Sequence, residues 1–374
     1  MKIFILLLLA VFSSQIFAAI EPKPPKIAAN SYILIDFNSN KVIAEKNSTK
    51  RIEPASLTKM MSTYVIENEL RQGNINMSDE VLISKKAWKM PGSRMFVEVN
   101  TKVTVDKLLK GIIIQSGNDA TVAMAEFIAG SEDSFVSLMN EHARQLGMRD
   151  THFVNSTGLP HKEHYTTATD LAILVSAMIR NYPEHYSWYS EKVFTYNGIK
   201  QYNRNKLLWQ DKYVDGVKTG HTESAGYCLA ASAKKGDMRL ISVVLGTKSE
   251  RARATESQKL LTFGFRFYET HRLYEANKPL TTAQIWKGEK EKVALGLAKD
   301  LWVTIPRGLY GKLKATMSLD AKIIAPVKKG NVYGVVDVKL EGKPFVTRDL
   351  VALQAVEEGG FVGGLLDEVK MLFE

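Results

Sequence analysis

Three short stretches decide how this chain is read: Pro54-Ala55-Ser56-Leu57-Thr58-Lys59, then Ser116-Gly117-Asn118, then Val214-Asp215-Gly216-Val217-Lys218-Thr219-Gly220-His221-Thr222. Each alone is common. Together, in this order and with about 60 and then about 100 residues between them, they form one specific signal. Ser56 and Lys59 stand three apart at a helix start and so share a face. A serine hydroxyl is a poor nucleophile until a base takes its proton, and a lysine can be that base once burial or the positive end of a helix lowers its pKa. Taken without the other two stretches, the same residues are a helix start followed by a surface lysine.

Ser116-Gly117-Asn118 lies between apolar runs at 105–114 and 120–128, which read as buried helices, and a polar loop there needs a reason. The Ser116 hydroxyl can relay a proton to a leaving amine. The Asn118 amide can bond both Lys59 and a substrate backbone group. The alternative is a helix-to-helix turn capped by Asn118. In the third stretch Lys218 offers a fixed positive charge at a strand end, Thr219 a hydroxyl, and Gly220 room for a substrate backbone. An extended peptide can pair along that edge by strand addition. The backbone N–H groups of Ser56 and His221 can form an oxyanion hole. The competing reading is an ordinary strand end with an exposed lysine.

Outward from these motifs, residues 30–45 alternate as a hairpin around Asn38-Ser39-Asn40, and residues 56–70 and 169–179 carry helical periodicity. Residues 214–219, 227–233 and 239–246 read as three successive strands. The expected fold class is an α/β catalytic domain, with an antiparallel sheet flanked by helices. The texture changes after about residue 269. Short strand-like segments at 301–305, 312–318, 322–326, 332–340 and 345–353, separated by Gly-containing turns, predict a smaller all-β domain.

A chain of 374 residues that is 45% hydrophobic supports two cored domains. Lys2 followed by the apolar run 3–12, too short to span a bilayer, and the small residue Ala18 predict a secretory signal over 1–18. The single cysteine, Cys228, sits in an apolar strand and reads as an inert buried thiol. The net charge of +10 would suggest nucleic acid, but export and the dispersal of the basic residues argue against it and favour anionic envelope polymers or lipid headgroups. His161 and His164 have partial metal spacing without a supporting cluster and read as loop histidines, and no phosphate-binding Gly-rich loop is present. No cofactor or metal is expected.

Val214 to Thr222, Met238-Arg239-Leu240-Ile241-Ser242, the stretch Leu260-Leu261-Thr262-Phe263-Gly264-Phe265-Arg266-Phe267, and Thr304-Ile305-Pro306-Arg307-Gly308 extend the motif match. On these residues the chain resembles the low-molecular-mass penicillin-binding proteins of the penicillin-binding protein 5 type, which are D-alanyl-D-alanine carboxypeptidases. The resemblance covers nearly the whole mature chain. It implies Ser56 as the acylated nucleophile, Lys59 as its base and Ser116 as the third catalytic group. It implies Asn118, Lys218, Thr219, His221, Arg253 and Arg204 as substrate-binding residues, with Arg253 helping to hold the substrate carboxylate. The implied partners are a peptidoglycan stem peptide ending in D-Ala-D-Ala, β-lactam antibiotics and a membrane surface, at the periplasmic face of the bacterial inner membrane.

The organisation expected is a signal at 1–18, a catalytic domain at 19–269, a β-rich domain at 270–355 and an amphipathic tail at 356–374. In the tail Phe361, Val362, Leu365, Leu366, Val369, Leu372 and Phe373 share one helical face, and Gly359-Gly360 before it reads as a hinge. The tail ends at Glu374 without the extra aromatic and basic residues often seen in the family. Packing of this helix on the β-domain is the other reading. Two alternatives to the carboxypeptidase remain open: a serine β-lactamase, against which stands the lack of a Glu-x-x-Leu-Asn motif, and a non-catalytic wall-binding scaffold.

Overall fold

The structure is a computed structural model that describes residues 22–360 and residue 367. The expected signal at 1–18 and the apolar face of the tail lie outside the described residues. The first domain is a three-layer sandwich. Its five strands are β1 (Ser31–Asp36), β2 (Val42–Lys46), β7 (Val214–Thr222), β8 (Gly226–Lys235) and β9 (Met238–Thr247), all antiparallel in the order β2-β1-β9-β8-β7. Successive side chains on a strand point to opposite faces. Ile33 and Ile35 of β1 therefore join one core with Ile241, Val243 and Leu245, while Leu34 joins the other with Leu240 and Val244.

One face carries the helical layer: α1 (Lys59–Gln72), α2 (Lys85–Trp88), α3 (Val105–Lys110), α4 (Asn118–Ala129), α5 (Glu132–Leu146), α6 (Ala168–Asn181) and α7 (Pro183–Tyr186). Two small ribbons flank this layer, β3 (Glu80–Leu82) with β4 (Lys102–Thr104), and β5 (Val193–Tyr196) with β6 (Ile199–Tyr202). The short helix α8 (Leu207–Gln210) leads into β7, and α9 (Glu250–Phe267) covers the opposite face of the sheet. The expected hairpin, the helix at 169–179 and the three successive strands are all present.

Two expected helices depart from simple α-helix. The segment expected from residue 56 starts as a 3-10 turn at Ala55–Thr58. The run at 105–114 breaks at Lys110 into a π turn, Gly111–Gln115, which ends on Ser116 at φ +66°. Both departures fall at motif serines, where an extra or missing residue per turn re-aims a side chain.

The second domain begins where α9 runs directly into β10 (Tyr268–Tyr274). Its other strands are β11 (Thr281–Trp286), β12 (Lys292–Gly296), β13 (Leu301–Pro306), β14 (Leu313–Leu319), β15 (Ile323–Ile324), β16 (Val332–Leu340) and β17 (Lys343–Ala352). Six of them form one sheet in the order β14-β16-β17-β12-β11-β15, and β13 pairs with β10 apart from it. The domains meet at Asp36. Its Oδ2 accepts from the Thr270 hydroxyl at 2.8 Å, its Oδ1 from Ser39, and Ser39 Oγ lies 2.7 Å from Thr304 Oγ1. At the far end Gly359 N–H donates to the Lys287 carbonyl at 2.8 Å, and Asp367, the one described residue beyond 360, accepts from Lys287 N–H at 2.8 Å. Gly359 is thus hydrogen-bonded to the β-domain, which leaves Gly360 as the glycine of the expected hinge pair without a close neighbour at its Cβ position.

Candidate active site

The site is built around the serine turn. In a 3-10 turn residues i and i+3 eclipse, which stacks the first residue of α1, Lys59, on Ser56: Nζ lies 3.2 Å from Oγ. Ala55 sits at φ +48°, a left-handed conformation worth about 1–3 kcal/mol of strain for a non-glycine residue. The neighbours hold it there. Gly158, at φ +86°, approaches so closely that a Cβ would lie 1.8 Å from the Ala55 carbonyl oxygen, and a Cβ on Gly220 would lie 3.1 Å from that of Pro54. The close approach that Gly220 permits is therefore first that of β7 to the serine turn.

Lys59 is completely buried. Its Nζ donates to Asn118 Oδ1 and to the Thr157 carbonyl, both at 2.6 Å. Burial, then the charge of Arg204, pulls its ammonium down to about 7, against a smaller upward pull from Asp119. The other end of the Asn118 amide is also engaged, with Nδ2 donating to the Pro91 carbonyl at 2.6 Å.

Lys218 faces the same loop from β7, and its Nζ donates to Ser116 Oγ at 2.8 Å. It too is buried. Burial first, then Lys59, Arg204 and Arg253, pulls its ammonium well below the ordinary lysine range. The sequence suggested a fixed charge here, but burial makes the charge conditional on a counter-ion. The permanent cations are the two arginines. Arg253 Nη1 donates to the Gly220 carbonyl at 3.1 Å, and Arg204 Nη2 to Ser93 Oγ at 2.9 Å. His221 stacks on Tyr227 with ring centroids 3.9 Å apart.

Ser56, Ser116, Asn118, Thr219, His221, Arg204 and Arg253 line one open cleft of about 220 Å³, with Lys59 and Lys218 bonded into its floor. A larger hollow of about 500 Å³ lies at the far end of α1 beside Glu67 and His185, and it contains none of the motif residues. All nine residues singled out by sequence therefore converge. Sequence reasoning missed their supports. The Thr157 carbonyl is a backbone group and carries no residue-type signature. Asp119 accepts from the N–H groups of Met95, Phe96 and Val97 and so fixes the loop above the cleft.

His164, read as a loop histidine, is buried under the serine turn. Its Nδ1 accepts from Val154 N–H, which leaves Nε2 to donate to Thr58 Oγ1 at 2.8 Å. Burial, reinforced by His152, His161 and Lys59, lowers its pKa to about 4, so it stays neutral.

A buried lysine against a serine turn, facing a polar loop and a strand edge with two arginines, on an α/β/α sandwich, marks the class of active-site-serine peptidases. Known proteins narrow this. The family described as D-alanyl-D-alanine carboxypeptidase matches residues 18–249, and the one described as penicillin-binding protein 5, C-terminal domain, matches 268–358. D-alanyl-D-alanine carboxypeptidase DacA of Escherichia coli is 46% identical over 360 residues, 94% of this chain and 89% of that protein. The crystal structure of penicillin binding protein 5 from Haemophilus influenzae superposes with a TM-score of 0.87 at 44% identity, covering 90% of this chain and all of that one. A Listeria monocytogenes penicillin-binding protein in its ampicillin-bound form superposes with a TM-score of 0.61 at 27% identity, covering 65% of this chain and all of that one. The chain belongs to the D-alanyl-D-alanine carboxypeptidase family and is a serine peptidase.

Proposed function

We propose that this chain removes the terminal D-alanine from peptidoglycan stem pentapeptides through an acyl-enzyme on Ser56, and that β-lactams acylate the same oxygen. The observation that carries this reading is the hydrogen bonding of Lys59. In the neutral amine both hydrogens go to Asn118 Oδ1 and the Thr157 carbonyl, so the lone pair is left facing Ser56 Oγ. That amine takes the serine proton as Oγ bonds to the carbonyl carbon of the penultimate D-Ala. The oxyanion takes the N–H groups of Ser56 and His221. The C–N bond then breaks, and the leaving amine receives its proton through Ser116, whose oxygen Lys218 holds. Water, with Lys59 again as base, releases the shortened peptide. Arg253, Lys218 and Thr219 hold the terminal carboxylate, and charge-assisted bonds of this kind contribute about 1.5–3 kcal/mol each. The arriving anion also supplies the counter-charge that Lys218 lacks.

The β-lactamase alternative needs a carboxylate to activate the deacylating water. Among the described residues lining the cleft the one carboxylate is Glu250, and it lies 2.9 Å from Lys206 Nζ. Penicilloyl-Ser56 is therefore long-lived in this reading.

The test is mass spectrometry after penicillin, with D-Ala release measured from an acyl-D-Ala-D-Ala peptide. One penicilloyl group on Ser56 and steady peptide turnover are expected. A Ser56→Ala protein that still takes up penicillin covalently would refute the assignment. Fast penicillin turnover would favour the lactamase, and acylation without peptide turnover the scaffold.

Export and location belong to the same proposal. The apolar run at 3–12 supports secretion to the periplasmic face of the inner membrane, and the amphipathic tail supports peripheral attachment there. Co-sedimentation with vesicles, with and without residues 357–374, separates the cases. Equal partitioning of both forms would assign the tail to the β-domain, where Asp367 already touches Lys287.

A further inference from the structure

Beside the cleft, the β5–β6 hairpin and α8 form a shoulder whose surface chemistry the hydrolytic reaction does not use. The hairpin turns Val193 and Tyr202 outward as a cross-strand pair, with Lys200 on the same face as Tyr202. Tyr202 is 56% exposed and Trp209 of α8 47% exposed, the highest values for aromatic residues in this part of the molecule. Each ring has an ammonium beside it, Lys200 Nζ 5.4 Å from the Tyr202 centroid and Lys192 Nζ 5.9 Å from that of Trp209. The neighbouring acids are already matched, Glu191 with Lys110 and Glu250 with Lys206. Among the described residues neither Lys192 nor Lys200 is in an ion pair.

The shoulder is bolted to the cleft. Gln201, the inward residue between Lys200 and Tyr202, donates to the Met95 carbonyl at 3.0 Å, and Arg204, two residues beyond Tyr202, donates to cleft-lining Ser93. Lys192 carries the strip onward, since its carbonyl accepts from Asn203 N–H while its ammonium reaches Trp209.

We propose that this shoulder docks the anionic glycan–peptide polymer whose stems the cleft trims, a proposal that rests on the reading of the cleft given above. Half-exposed aromatic plates suit the C–H face of a pyranose ring. The adjacent unpaired ammonium groups suit the free carboxylates carried by acidic stem residues. Continuity with the cleft argues for the substrate's own polymer over an unrelated anion. A lipid surface is the rival occupant.

The test compares substrates on four proteins: the native chain, Tyr202→Ala with Trp209→Ala, Lys192→Gln with Lys200→Gln, and all four together. D-Ala release is measured from a short soluble acyl-D-Ala-D-Ala peptide and from insoluble peptidoglycan. Co-sedimentation is measured with that peptidoglycan and with phosphatidylglycerol vesicles. On the polymer each double variant should lose about tenfold in binding and turnover, while short-peptide turnover, penicillin acylation and melting temperature stay within about twofold or a degree. The lysine pair should also remove most of the salt sensitivity of polymer binding. Equal effects on peptide and polymer, or no effect on either, would overturn the shoulder while leaving the cleft reading intact. Loss of vesicle binding with polymer binding retained would overturn it in favour of the membrane. A native protein inactive on the short peptide would refute the cleft reading, and polymer co-sedimentation of the variants would still decide the shoulder.

Discussion

The two domains differ most in what they bury. The first domain hides Lys59, Lys218, Ser116, Asn118, Asp119, Arg253 and many other polar groups. Past Phe267, the buried polar residues among those described are Thr270 and Thr304, and both sit at the joint with Asp36. The β-domain core is otherwise Val, Leu, Ile and Ala, such as Val293, Leu295, Val336, Val338 and Leu350. Burying a polar group costs about 1–3 kcal/mol unless it finds partners, and a charge costs more. One domain thus carries that cost where reactive groups need low dielectric, and the other has the composition of a plain support.

The sharpest way to break this comparison is one substitution on each side. Lys59→Met removes the base and should lower penicillin acylation by about 10³-fold, within the usual range for a general base. Leu350→Ala, in the apolar core of the β-domain, should destabilise by about 2–5 kcal/mol and leave acylation at 25 °C unchanged. Stopped-flow acylation and thermal melts check both. An acylation loss in Leu350→Ala well below its melting point would show that the β-domain takes part in the chemistry.

Glycine offers the next contrast. Gly158 and Gly330 have nearly the same left-handed backbone, φ +86° and +89°. A Cβ at Gly158 strikes the Ala55 carbonyl, while one at Gly330 meets nothing within 4 Å. Gly330→Ala should cost about 1 kcal/mol with acylation unaffected. Gly158→Ala should cost about 3 kcal/mol or more and slow acylation, because the serine turn has to move. Similar melting temperatures for the two variants would contradict the packing described for the turn.

The pH dependence follows from Lys59. Its amine falls from an ordinary 10.5 to about 7 on burial. The unfolded chain therefore binds more protons than the folded chain between those values, and stability rises with pH across that window. Burial of this amine weighs fully against folding below about 7 and not at all above 10.5. Acylation needs the neutral amine, so its rate should fall about tenfold per unit below the folded pKa and level off above it. A rate flat from pH 5 to 9 would exclude Lys59 as the base.

The same contrast in burial governs what was legible. Ser56, Lys59, Ser116, Asn118, Lys218 and Thr219 could be named because side-chain chemistry leaves a residue-type pattern. His221 followed from its place after the Lys-Thr-Gly stretch, and Arg204 and Arg253 only from the family resemblance. The Thr157 carbonyl and the Gly158 contact could not, since one is backbone and the other depends on a turn a hundred residues away. The buried neutrality of His164 and the conditional charge of Lys218 are effects of desolvation, which has no sequence period. In the β-domain, β16 was legible to the residue because Val336 and Val338 alternate with exposed neighbours. β10, with Glu269, His271 and Arg272 along it, does not read as a strand until β13 pairs with it.

The smallest expected effect tests whether the joint belongs to the buried-polar economy of the first domain or to the plain packing of the second. Asp36 is fully buried, yet its Oδ1 accepts from three donors, Asn38 N–H, Ser39 N–H and the Ser39 hydroxyl. Ser39→Ala removes one of the three and also the 2.7 Å contact to Thr304, while Oδ2 keeps Thr270. A hydrogen bond lost from a carboxylate that stays satisfied should cost about 0.5–1.5 kcal/mol. Thr270→Val strips Oδ2 of its hydroxyl donor and should cost about 1–3 kcal/mol, because the buried oxygen is left without that bond. Neither residue touches the cleft, so acylation rates should match the native protein. Denaturant melts should show Thr270→Val as the more destabilised of the two. The reverse order would mean that the contact between Ser39 and Thr304, and not the solvation of Asp36, holds the domains together.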